Sequence, residues 1–118
     1  MVRLIKSFKW AGQGFLYCMR NEKNFKLHCA FAVVTIGFGF FFSISATEWM
    51  LLNFCIAGVL SMELLNTAIE QLCNRTTTSQ DPQIKTIKDV SAAAVFIIAV
   101  MAAICGAIIF IPKVIAVF

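Results

Sequence analysis

Glu63, Asn66, Thr67 and Glu70 stand in a run of apolar residues that begins at Trp49 and continues to Leu72. Their spacing of i, i+3, i+4 and i+7 places all four on one stripe of a helix. A carboxylate in a membrane-embedded helix is costly, roughly 2.5–3.5 kcal/mol near the bilayer centre, so such a group faces a protein interior or a reaction. Asn66 and Thr67 alone would suit helix-to-helix contacts. Two acids around them ask for more. Glu63 and Glu70 are two turns apart, about 10.5 Å along the axis, too far for ready chelation of one ion by both. Separate roles follow: the deeper Glu63 as a proton acceptor, the shallower Glu70 as a cation ligand at the water boundary. A cation there points to phosphate chemistry, for which Arg75, Lys85 and Lys88 supply positive charge. Asp89 is suited to a metal or to capping the following helix.

The elements that position this stripe are read from composition. Of the 118 residues, 60% are hydrophobic and 14% charged, and 12 are Phe. That balance suits a single all-α domain over 1–118 with the bilayer as its solvent. Residues 27–45, 49–72 and 90–111 are expected to span, each long enough to cross a hydrocarbon layer of about 30 Å. The third span is expected to stop at Pro112. Residues 73–89 form a polar loop. Over residues 1–24, Leu4, Ile5, Phe8, Phe15 and Leu16 fall on one helical face, opposite Arg3, Lys6, Lys9, Gln13 and Arg20. The separation predicts an amphipathic helix lying in the membrane interface. Basic and apolar residues interleave there, which does not fit a secretory signal peptide.

Charge sets the orientation. Six Lys/Arg precede the first span and three lie in the 73–89 loop, against none in the first loop and one after the third span. The bias puts the N-terminus and that loop in the cytoplasm and the C-terminus outside. From Trp49, Glu63 then lies about 21 Å along the helix and Glu70 about 31 Å, near the cytoplasmic boundary. The net charge of +4 reads as membrane anchoring, with no nucleic-acid partner. The five cysteines are dispersed and His28 is the only histidine, which leaves no disulfide framework or multi-histidine metal site. Asn74-Arg75-Thr76 matches a glycosylation acceptor but falls on the cytoplasmic side. There is no Walker-type or kinase-type glycine loop. Glu22 is another acid at the cytoplasmic level; taken by itself it reads as a solvated charge among Arg20 and Lys23.

The run Glu63-Leu-Leu-Asn-Thr-Ala-Ile-Glu70, followed by Lys88-Asp89-Val-Ser-Ala-Ala-Ala-Val95, closely resembles the signature of the prokaryotic diacylglycerol kinases, which include the undecaprenol kinases. The likeness extends to Arg20-Asn-Glu-Lys-Asn-Phe-Lys-Leu-His28 and covers nearly the whole chain. It implies a lipid kinase of the bacterial inner membrane, a homotrimer whose active sites are shared between subunits. It further implies ATP as co-substrate, Glu63 as catalytic base, and Glu22 and Glu70 as ligands of Mg²⁺. Asn66, Lys88 and Asp89 match positions that organise the nucleotide, and Arg3, Ser79, Gln80 and Asp81 match nucleotide contacts. The chain departs from the pattern at Asn74, often an aspartate, and at Ala92, a serine in some members. The stretch ending at His28 leans toward the undecaprenol-kinase branch, and the acceptor is diacylglycerol or undecaprenol. The competing class is a small transporter or ion relay built on the Glu63/Glu70 stripe.

Overall fold

The computed structural model describes residues 1–76 and 80–118. Four α-helices follow in order: α1 (Val2–Asn21), α2 (Lys23–Phe41), α3 (Ala46–Thr76) and α4 (Pro82–Val117). α2, α3 and α4 are each long and apolar enough to cross a membrane. Phe54 (77% exposed) and Phe96 (69%) stand on the outside of the molecule, a surface that hydrocarbon can solvate and water cannot.

α3 is the central element and touches all three others. Contacts at both ends fix the antiparallel order. At one end His28 of α2 meets Glu63 of α3, and Lys88 of α4 meets Asn74 of α3. At the other end Lys113 Nζ of α4 lies 2.7 Å from Glu48 Oε2 of α3. These are called below the charged end and the Trp49 end.

The breaks between helices have local causes. Glu22 takes an extended conformation (φ −108°, ψ 111°) and closes α1 while opening α2. Phe25, fully buried, meets Phe15 edge to face at 5.1 Å, which folds α1 back beside α2. Between α2 and α3, Ser43 adopts a left-handed φ of 50°. Ile44 is thereby turned into a small core with Leu52 and Ile109. Ser45 and Glu48 then form a capping box: Ser45 N donates to Glu48 Oε1 at 2.9 Å and Glu48 N to Ser45 Oγ at 3.2 Å. Gly39 permits this corner, because a Cβ there would stand 2.6 Å from Trp49 Cη2.

The helix boundaries differ from the expected spans: α2 covers Lys23–Phe41 where 27–45 is expected, and α3 starts at Ala46, before Trp49. α3 continues through polar residues to Thr76, and α4 begins at Pro82, well before Val90. The N-cap of α4 is Asp81, whose Oδ1 accepts from Gln83 N at 2.8 Å, with Pro82 in the first turn. Asp89 does not cap this helix; it lies within it. Nor does Pro112 stop α4, which runs on to Val117 with the proline inside. Proline removes a single ladder hydrogen bond, and five residues from the helix end that loss is local.

Candidate active site

The stripe on α3 turns toward α2 and α4 at the charged end. Glu63 and Thr67 are buried, at 5% exposure each, while Asn66 and Glu70 are half-buried. His28 comes from the second turn of α2, and its Nε2 lies 3.1 Å from Glu63 Oε1. On the other flank, Ser91 of α4, also buried, donates its hydroxyl to Asn66 Oδ1 at 2.7 Å. That bond fixes the carboxamide. Its Nδ2 is directed at Glu70 Oε1, 3.3 Å away. A relay of contacts therefore joins α4 to α3 as Ser91, Asn66 and Glu70.

Glu22 enters from the α1–α2 break. Its carboxylate makes no capping bond to the first turn of α2, which leaves its oxygens available to another partner. Glu22, at the α1–α2 break, and Glu63 and Glu70, both on α3, thus lie toward the same end of the bundle. Cys18 of α1 is buried beside Thr67, and the contact ties α1 to the same face of α3. Burial pushes the Cys18 thiol above its ordinary range, which keeps it protonated and inert at neutral pH.

Other residues read from the sequence lie elsewhere or have other partners. Lys88 Nζ donates to Asn74 Oδ1 at 2.7 Å, so Asn74 acts as a neutral anchor where an aspartate would bring charge. Asp89 is paired on the surface with Lys85 at 2.7 Å. Asp81 is engaged as the α4 cap, and Gln80 is exposed just before it. Arg3 is exposed in the first turn of α1 and makes no side-chain bond to the acidic cluster. Ser79 lies outside the described residues. Sequence reasoning left out His28, Asn74 and Ser91 as site components, because each is revealed by a partner on another helix. Ala92, the departure noted above, directly follows Ser91, so α4 still supplies a hydroxyl to this end.

Among the described residues, no group of three His, Cys, Asp or Glu side chains is placed to hold a metal ion. The donor chemistry nonetheless fits Mg²⁺, which is usually held by one or two carboxylates together with substrate phosphates and water. Glu22 and the free oxygen of Glu70 are donors of that kind. A buried acid beside two shallower ones, with a lysine and an ordered carboxamide nearby, is equipped for phosphoryl transfer.

Comparison with known proteins decides the class. The family model for prokaryotic diacylglycerol kinase matches residues 9–110. The chain belongs to that family. An undecaprenol kinase of Bacillus subtilis (strain 168) is 42% identical over 94% of this chain and 90% of its own length. A diacylglycerol kinase of Haemophilus influenzae is 31% identical over 93% and 94% respectively. One from Pseudomonas aeruginosa is 32% identical over 80% and 77%. With these relatives and its three apolar helices, this prokaryotic diacylglycerol kinase family member is a membrane protein and a lipid kinase.

Proposed function

We propose that the chain transfers the γ-phosphoryl group of Mg-ATP to the hydroxyl of a membrane lipid at the cytoplasmic face of the bacterial inner membrane. The observation that supports this reading most is the buried Glu63, held against His28 on the same stripe of α3 as Asn66 and Glu70. Glu63 Oε1 faces His28, so Glu63 Oε2 is the oxygen that accepts the proton of the lipid hydroxyl as it attacks phosphorus. Glu70, oriented by Asn66, and Glu22 hold the nucleotide's magnesium, which neutralises charge on the β- and γ-phosphates. Lys88, steadied on Asn74, faces the phosphates as a further positive charge. Arg3, Ser79, Gln80, Asp81 and Asp89 form the outer nucleotide contacts in this reading.

α1 lies in the cytoplasmic interface with its apolar face in the lipid, and the C-terminus is outside. The active form is a homotrimer with shared sites. Asn53, Ala57 and Ser61 support it: they share one exposed stripe of α3, and a carboxamide and a hydroxyl left facing hydrocarbon favour a partner helix. Undecaprenol is the preferred acceptor, as the relative at 42% identity bears that name while those at 31% and 32% are diacylglycerol kinases. The test is purified protein in mixed micelles with labelled ATP and the two lipids in competition. Label is expected in undecaprenyl phosphate, and chelation of Mg²⁺ should stop it. Preferential labelling of diacylglycerol would reverse the acceptor assignment, and label in neither lipid would refute ATP-dependent transfer to these acceptors.

A further inference from the structure

Glu63 belongs to the buried row of α3, one turn beyond Val59 and one turn before Thr67. A carboxylate in such a row is costly unless a polar partner faces it. Among the described residues, one side chain makes a polar contact with it: His28 of α2, whose Nε2 lies 3.1 Å from Glu63 Oε1. Asn66, on the same stripe, is engaged elsewhere, its oxygen with Ser91 and its nitrogen with Glu70. The root of His28 is fixed by packing. Phe25, three residues earlier and so on the same side of α2, is fully buried and meets Phe15 edge to face at 5.1 Å. The His28 side chain also borders open space, since it lines a cavity of about 350 Å³ together with Ala32, Thr35, Val59 and Ala102. That volume is several times the size of a free imidazole molecule.

We infer that His28 is a positioning residue for phosphoryl transfer: its contact with Oε1 fixes the Glu63 carboxylate so that Oε2 meets the lipid hydroxyl. The inference rests on the kinase reading above and adds what the base needs in order to act. A glutamate side chain turns about several bonds, and a reacting group misplaced by about 1 Å loses about 100-fold in rate. Held at one oxygen, the carboxylate keeps a single orientation before the substrate arrives. His28 acts through Glu63 and exchanges no proton with the lipid. Because α2 carries His28 and α3 carries Glu63, the packing of Phe25 against Phe15 is what transmits the α1–α2 corner to the base.

The experiment uses the full chain in detergent micelles with labelled Mg-ATP, and undecaprenol and diacylglycerol as acceptors. His28→Ala should lower kcat about ten- to hundredfold, as loss of a polar contact to a charged group does. KM for Mg-ATP should stay as in the wild type. The vacated place is continuous with the cavity, so added imidazole should restore kcat of this variant in a saturable way and leave the wild type unchanged. His28→Phe fills the same place with a ring that has no nitrogen. It should be about as slow as His28→Ala and should not respond to imidazole, whereas a residue that only packs would be replaced by it without loss. A His28→Phe variant with wild-type kcat, or a slow Ala variant that imidazole does not speed, overturns the positioning role. Wild-type protein that phosphorylates neither acceptor would instead refute the kinase reading beneath it.

Discussion

Ser91→Ala removes one oxygen and tests how Glu70 is held. Ser91 Oγ donates to Asn66 Oδ1 at 2.7 Å, and Asn66 Nδ2 reaches Glu70 Oε1 at 3.3 Å. Without the hydroxyl the carboxamide loses what fixes its orientation. A side-chain hydrogen bond of this kind contributes about 1 kcal/mol net, and about 0.6 kcal/mol on average between membrane helices. At 1.36 kcal/mol per decade, the loss corresponds to about three- to fivefold. Because Glu70 is assigned to magnesium and nucleotide, the change should fall on KM for Mg-ATP. KM for the lipid should not move. The assay is steady-state transfer from labelled ATP at varied nucleotide and fixed lipid, on wild type, S91A, N66A and the double variant. If Ser91 acts through Asn66, S91A should cost nothing further in the N66A background. Additive losses in the double variant, or an effect on lipid KM alone, would refute the relay.

Other perturbations probe the scaffold and the rest of the site. Gly39→Ala sets a Cβ 2.6 Å from Trp49 Cη2, and should destabilise the α2–α3 corner by about 1–3 kcal/mol, seen as a lower Tm in detergent. An unchanged Tm would contradict the close approach. Lys113→Ala breaks the ion pair with Glu48 and should lower Tm less than Gly39→Ala does. The difference from wild type should shrink in high salt, since ion pairs near water are screened. Lys88→Met removes the charge held 2.7 Å from Asn74, and should lower kcat while leaving Tm close to wild type. A variant with wild-type kcat would remove Lys88 from the phosphate site.

How much of this was legible in the sequence depends on whether a residue's meaning is local. The three spanning helices were readable because each holds a continuous apolar run, with turn residues between. Their ends were less so: Pro112 is a helix-breaker by rule, yet α4 passes through it close to its terminus. Asp89 looked like a cap, but Asp81-Pro82 carries the stronger pair of start signals and is where α4 begins. The Glu63–Glu70 stripe was visible because it is one helix's periodicity. His28 and Ser91 were not, since a lone histidine and a serine among alanines gain meaning only from Glu63 and Asn66 on a neighbouring helix. Asn74 seemed a lost charge, whereas its carbonyl oxygen positions Lys88.

The central claim is that buried Glu63 takes the proton from the lipid hydroxyl. Glu63→Gln keeps the side chain's size and its contact with His28 but cannot accept that proton. Phosphorylation of lipid from labelled Mg-ATP by this variant tests the claim most directly, alongside its Tm and its oligomeric state in detergent. The account predicts turnover lowered by about 100-fold or more, with Tm, assembly and KM for Mg-ATP close to wild type. A folded Gln variant that phosphorylates lipid at the wild-type rate would contradict it.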